Sequence, residues 1–424
     1  MIKRYIKQTW AMLRQHKLFG ALYIIGTAIP IALTMIVITF QYIRVGSIYP
    51  EEHRDELWCS EWASCFWGGS HISLNVVKNW FYPLRDAQAV TAITSNYGVN
   101  VLLADGKHLF KVKNTLTDTG FFRVFDFDFL AGKSFTESDF VNGNHCAVIS
   151  ASLSRRLFGT EQSVGRSFQM NYVRFSVSGV VRDASSLTPL SYAEVYVPYS
   201  CFPERDASTP DNLMGPYMVC MRIPKGKASL VQTEIKERIR QYQLMYQQKG
   251  QVDIPRPIWQ YNISDDGHFG IDDDMVNKAL YIWGGLILIF LFVPALNLSG
   301  MISGRMEERL TEMGIYKTFG ATRQYLLQKV LMENLAMTLL GGLLGLLFSW
   351  SVLLLGKGWV FGFLFPGFYL KSTADILITP EMLFSPWIFL SAFLVCLILN
   401  VASALLPVWN ALRVEIVYSL NQKK

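Results

Sequence analysis

The sequence predicts an α-helical membrane protein with four transmembrane helices and an α+β extracytoplasmic domain inserted between helices 1 and 2. Three observations carry that reading. Half of the 424 residues are apolar and the mean hydropathy is positive, which is uncommon in a soluble chain. Four segments are long and apolar enough to cross a hydrocarbon core of ~30 Å, a task for about 20 helical residues. Between the first two lie about 230 residues of alternating short strands and helices, enough for one or two compact domains.

In chain order, residues 1–18 form a basic amphipathic helix. Ile2, Tyr5, Ile6, Trp10 and Leu13 recur near helical spacing, with Lys3, Arg4, Lys7, Arg14 and Lys17 around them. The first span is 19–43. Its apolar run is longer than the ~7–15 residues of a signal-peptide core, and no small-x-small cleavage site follows, so it reads as a retained anchor. The external domain is 44–275. Spans two, three and four are 276–302, 331–355 and 386–408. They are joined by a cytoplasmic coupling loop at 303–330 and an extracytoplasmic loop at 356–385, and followed by a cytoplasmic tail at 409–424. Orientation rests on the basic residues. Arg305, Arg309, Lys317, Arg323 and Lys329 fill the 303–330 loop, and Arg413, Lys423 and Lys424 follow the last span. This places both termini in the cytoplasm of an inner-membrane protein and the large domain in the periplasm. The net charge of +6 is this asymmetry. No basic stripe with interleaved aromatics points to nucleic acid.

Within the domain, 90–94, 99–103, 109–113, 147–149, 194–197 and 218–223 read as strands. Ser150 reads as the N-cap of a helix that stops at Gly159, and 228–245 as an amphipathic helix. Cys59 and Cys65 stand in a C-x5-C spacing on the side where disulfides persist; the spacing permits a disulfide between them without demanding it. Ala131-Gly132-Lys133-Ser134 resembles the end of a phosphate loop, but Phe127 stands where a glycine is required. No other P-loop, H-E-x-x-H or G-x-S-x-G occurs. No catalytic residue, bound cofactor or metal site is therefore expected. The acidic run Asp265-Asp266 and Asp272-Asp273-Asp274 reads as the cap of the second span's helix, where carboxylates suit the macrodipole.

Asn297 and Asn400 are polar positions in spans, suited to hydrogen bonding between helices, and no intramembrane charge marks a solute pathway. Gly341 and Gly345 lie on one helix face, a close-packing pattern that serves either intramolecular packing or a dimer interface.

The loop between spans two and three is the most informative segment. It reads as a short amphipathic helix, a turn at Gly320-Ala321-Thr322, and a helix re-entering lipid. Its words E-R-L-T-E-M-G-I (308–315) and K-T-F-G-A-T (317–322) resemble the cytoplasmic loop of the MacB/FtsX family of ABC-transporter permeases. The run 121–183 resembles the MacB-type periplasmic core at Phe121-Phe122, Leu130, Gly132, Phe135, Asp139, Ile149-Ser150, Leu153, Leu157-Phe158-Gly159, Val164-Gly165, Gly179-Val180-Val181 and Asp183. Lys133 stands where the family has arginine.

The resemblance implies a permease without a fused ATPase domain, working as a homodimer or as a heterodimer with a related permease. ATP would be bound by a separate ABC ATPase subunit docked at Glu308, Arg309, Glu312, Gly314, Lys317 and Gly320. Its motion would pass to the external domain to expel or extract an envelope substrate, with a periplasmic adaptor and an outer-membrane channel as further partners. The rival expectation is an FtsX-like regulator of a cell-wall hydrolase, or an envelope sensor.

Overall fold

The structure is a computed structural model that describes residues 17–66, 68–94, 97–102, 109–203, 211–247, 250–263, 273–308, 310–356, 359, 382 and 386–413. The expected helix at 1–18 therefore lies outside the described residues up to residue 16, as do nearly all of the 356–385 loop and the tail beyond 413. The chain divides into two compact units, one holding Gln41–Ala279 and the other the helices before and after it.

Helix α1 (Lys17–Val45) runs through Pro30 without a break. Beyond it, the first unit contains two sheets. The first has eight strands, all antiparallel: β1 (Leu57–Ser60), β2 (Trp62–Cys65), β3 (Gly68–Ile72), β4 (Ala89–Thr94), β12 (Met214–Gly215), β13 (Tyr217–Arg222), β14 (Gln251–Val252) and β15 (Arg256–Pro257). Its organising strand is β13, which pairs with β1 along one side, with β4 along the other and with β3 at Tyr217.

The second sheet has seven strands: β5 (Tyr97–Leu102), β6 (Leu109–Thr117), β7 (Phe129–Gly132), β8 (Cys146–Ser150), β9 (Ser167–Met170), β10 (Val173–Val181) and β11 (Val195–Pro198). Because β9 pairs with both β5 and β10, the path β10-β8-β11-β6-β5-β9 closes on itself, leaving β7 on the outside of β10. Closure removes the exposed edges that an open sheet would carry. The parallel pair β8–β10 needs a crossover, and helix α2 (Ala151–Phe158) supplies it. The Ser150 hydroxyl accepts from the Leu153 amide at 3.3 Å, and Gly159 ends the helix at φ +71°, a conformation that costs a β-carbon-bearing residue energy. The phosphate-loop look-alike begins at the end of a strand, with Gly132, the last residue of β7, opposite Gly179.

The run of phenylalanines from 121 to 135 is core. Phe121, Phe125 and Phe135 are buried, and Phe121 packs on Tyr196 with ring centroids 5.3 Å apart. One carboxylate ties the two sheets together. Asp118, buried at the end of β6, accepts from Tyr82 Oη, from Thr91 Oγ1 at 2.8 Å and from the amides of Ala92 and Gly120. Burial pushes its carboxyl up and these four donors pull it back. Helix α3 (Ala228–Tyr246) packs Val231, Ile235 and Tyr242 inward.

The other unit contains α4 (Asp273–Glu308) from Leu280 onward, α5 (Leu310–Thr318), α6 (Arg323–Leu355) and α7 (Pro386–Arg413), together with α1 up to Phe40. Three described helical segments are long and apolar enough to cross a membrane: Gly20–Val45, Asp273–Phe292 and Arg323–Leu355. The fourth expected span, 386–408, falls in α7, whose apolar stretch Phe393–Leu405 is shorter. At 1.5 Å per residue, α4 and α6 are about 50 Å long, so each extends well beyond a ~30 Å hydrocarbon layer.

Small residues set the packing between these helices. A β-carbon on Gly341 would strike Thr27 of α1. One on Gly345 would meet the Ala28 carbonyl at 2.6 Å, and one on Gly342 would strike the Phe393 ring of α7. This glycine face is thus filled from within the chain. Tyr23 and Thr338 share a hydrogen bond at 3.4 Å. The expectation of no charge in the spans needs correction, since Glu333 lies inside 331–355 and is 5% exposed, beside buried Asn334 and Thr338. It sits ten residues into α6, about 15 Å from the helix start.

Candidate coupling site

The loop expected to receive force is almost entirely helical. Helix α4 reaches Glu308 without interruption, α5 carries Glu312, Gly314 and Lys317, and a tight turn leads into α6. Gly320, at φ +86°, makes the turn. Its amide bonds to the Lys317 carbonyl at 3.0 Å and the Ala321 amide to the Tyr316 carbonyl at 3.0 Å, the paired bonds of a Schellman termination. Thr322 then caps α6 through the Tyr325 amide at 3.2 Å. Two helices joined by a stop and a cap, with one non-helical linker of four residues, form a stiff element.

Gly314 is buried, whereas Ile315, Tyr316 and Phe319 are exposed, Phe319 to 86%. Lys329 of α6 lies 4.3 Å from the Tyr316 ring centroid and donates to its hydroxyl at 3.2 Å. Partial burial, with Arg323 nearby, holds the Lys317 ammonium below its ordinary value. Glu308 and Glu312 take their places on α4 and α5; Arg309 lies outside the described residues. The turn adds Phe319 and Tyr316 to the sequence-derived set. Their signal was the apolar half of the amphipathic pattern, which reads equally well as lipid contact.

Within the Gln41–Ala279 unit, the last residues of α1 and the first of α4 make polar contacts with the domain's own side chains. Arg54 donates to the Ile43 carbonyl at 2.6 Å and the Gly46 carbonyl at 2.7 Å, while its Nε pairs with Glu51 at 2.7 Å. Free carbonyls at a helix C-terminus attract a cation, and here the cation belongs to the domain. Glu51 also accepts from Ser191 at 2.7 Å. Arg44 and Asn262 exchange side-chain-to-carbonyl bonds at 2.5 and 2.9 Å. Helix α4 opens on Asp273 and Asp274, and Asp273 pairs with Arg256 of β15 at 2.5 Å. Asp265, Asp266 and Asp272 lie outside the described residues. No metal-ligand cluster occurs among the described residues.

For Cys59 and Cys65, whose spacing permits a disulfide without demanding it, the structure gives Cys59 a different neighbour. The two residues sit on consecutive strands, β1 and β2, that pair with different partners. Cys59 faces Cys220 instead. Asn297 and Asn400 lie on α4 and α7.

A closed α+β unit inserted between long apolar helices, with a helical loop after the second, defines the external-domain class of membrane permease. Two family models match the chain: the MacB-like periplasmic core domain over residues 21–238 and the FtsX-like permease C-terminal domain over 284–416. The chain belongs to the MacB/FtsX-like family of ABC-transporter permeases.

An uncharacterised ABC transporter permease of Bacillus subtilis, YknZ, is 26% identical over 54% of this chain and 53% of its own length. The macrolide export ATP-binding/permease protein MacB of Agrobacterium fabrum is 24% identical over 73% of this chain and 43% of its own length. The chain thus spans about half the length of such curated relatives. Among solved structures, the periplasmic region of MacB from Actinobacillus actinomycetemcomitans is 17% identical, with a TM-score of 0.37 over 51% of this chain and 94% of that one.

Proposed function

We propose that the chain is the membrane subunit of an ABC transporter that carries ATP-driven motion outward rather than conducting solute through its spans. Four spans, the fourth in α7, leave both termini and α5 in the cytoplasm and the Gln41–Ala279 unit outside. The working assembly is a dimer of this chain, or of this chain with a related permease, on separate ATPase subunits.

One observation carries the proposal: α4 runs unbroken from Asp273 to Glu308, joining the coupling loop to a residue paired with β15. A continuous helix carries a displacement of one end to the other, with Pro294 as the point where it bends most easily. At the loop, exposed Ile315 and Phe319 supply an apolar anchor for the ATPase, and Glu308, Arg309, Glu312 and Lys317 supply charge complementarity. ATP closure moves α5, α4 follows, and the external domain changes shape to expel or extract an envelope substrate. Relatives named as macrolide export proteins favour this export reading over regulation of a hydrolase.

The test is copurification of the ATPase subunit with chains carrying Glu308→Lys or Glu312→Lys. Both should lose ATPase and its stimulation while inserting normally. Unchanged copurification and stimulation in both would remove these carboxylates from the interface.

A further inference from the structure

Two buried thiols outside the coupling site face one another across the first sheet. Cys59 of β1 and Cys220 of β13 are directly opposed in the antiparallel register. Their sulfur atoms are 3.1 Å apart, and the residues are 0% and 1% exposed. Directly opposed residues in such a pair have Cα atoms about 4.5–5.5 Å apart, inside the ~4.4–6.8 Å range that a disulfide requires. Bonding needs the sulfurs to close by about 1 Å, to ~2.05 Å, which side-chain rotation supplies while both strands stay in place.

We propose that Cys59 and Cys220 are joined by a disulfide in the mature protein. The proposal rests on the outward placement of the Gln41–Ala279 unit, since thiols stay reduced in the cytoplasm. The oxidant is the disulfide of an extracytoplasmic thiol–disulfide oxidoreductase. One cysteine thiolate attacks that disulfide, forms a mixed disulfide and expels one oxidoreductase thiolate. The second cysteine thiolate attacks the mixed disulfide, forms the Cys59–Cys220 bond and releases the other thiolate. The two cysteines lose two electrons, the oxidoreductase disulfide becomes a dithiol, and the two cysteine protons end on it.

The folded fold seals both sulfurs, and burial pushes the Cys59 thiol well above its ordinary value, so exchange precedes the docking of β13 on β1. The finished bond is shielded from reductants. It links residues 161 positions apart and fixes the strand that follows α1 to the organising strand of its sheet.

The experiment uses the full chain in native membranes. Acid quenching and alkylation with N-ethylmaleimide are followed by unreduced digestion and mass spectrometry. A Cys59–Cys220 linked peptide is expected, with both sites taking a second alkylating label only after reduction. Labelling of both sites at the level of a pre-reduced control, or a link from either to another cysteine, would overturn the proposal. In parallel, reductant should lower the thermal midpoint of the wild-type chain and leave a Cys59→Ala/Cys220→Ala chain unmoved; equal shifts would count against the bond.

An exposed Ser138→Cys probe, labelled in spheroplasts by an impermeant maleimide, separates the two ways of failing. Labelled Ser138→Cys with free Cys59 and Cys220 overturns the disulfide alone. An unlabelled probe overturns the outward placement and the disulfide with it.

Discussion

Arg54 and Glu51 form an ion pair at 2.7 Å with side chains 2% and 0% exposed, at the point where α1 hands the chain to the external domain. The guanidinium also holds two of the last carbonyls around the helix end. One guanidinium thus satisfies a buried carboxylate and the carbonyls at the C-terminal end of α1 together.

Arg54→Met leaves the Glu51 charge buried without its partner and should lower stability by about 3–5 kcal/mol. Arg54→Met combined with Glu51→Leu should recover much of that loss, since both charges leave together. Thermal unfolding of the full chain in detergent measures the pair. An equal loss in the single and double variants would show that packing, not charge, is what Arg54 supplies.

Stability should fall as pH rises from about 5 to 7. Burial pushes the Glu61 carboxyl up to about 7 and the Asp253 carboxyl up to about 6, each above its unfolded value. The folded state therefore binds more protons than the unfolded state in that window, so raising the pH favours unfolding. Each group contributes at most about 1.4 kcal/mol per pH unit, and partial solvent access reduces that. Chemical denaturation at pH 5 and pH 7.5 measures the slope. Glu61→Gln with Asp253→Asn should flatten it; an unchanged slope would place its origin elsewhere.

Asn171 and Tyr172 turn the β9–β10 hairpin with φ +49° and +68°, and the Tyr172 side chain is 99% exposed. A left-handed conformation costs an L-residue roughly 1–2 kcal/mol, and the tyrosine recovers nothing from packing. Tyr172→Gly should raise the unfolding free energy by about 1 kcal/mol. A loss would reveal a contact made by the ring in the assembled complex.

The glycines of the spans divide by their surroundings. Gly345→Val puts carbon against the Ala28 backbone, which cannot move aside, and should reduce the yield of folded protein several-fold. Gly284→Ala and Gly285→Ala meet no atom within 4 Å and should be tolerated in the monomer. Fluorescence-detected size exclusion compares them. Normal behaviour of Gly345→Val would mean that α1 and α6 do not pack as closely as described.

Local signals were legible in the sequence. The Ser150 cap, the Gly159 stop and the Gly320 turn are each written in one or two residues whose chemistry allows little else. The junction was not. Arg54 and Glu51 stand in the run E-E-H-R-D-E, which reads as a solvated face, and Glu51 is met by Ser191 from 140 positions away. Arg44 meets Asn262 across 218 positions. The partner of Cys59 was hidden for the same reason: the sheet, not the sequence, brings Cys220 opposite it from 161 positions away. Glu333 was missed because an apolar window averages over one charge.

Motion at the cytoplasmic loop should reach the external domain through the helices. Spin labels at Ser138→Cys, in a chain with its native cysteines replaced and reconstituted with its ATPase, report the distance between the two external domains of a dimer. Pulsed electron resonance with and without ATP, under conditions that block hydrolysis, should show that distance shift in the otherwise wild-type chain. The shift should be abolished by Glu308→Lys with Glu312→Lys. A distance that ignores ATP while the ATPase remains bound, or a shift that survives loss of the ATPase from the loop, would contradict the account.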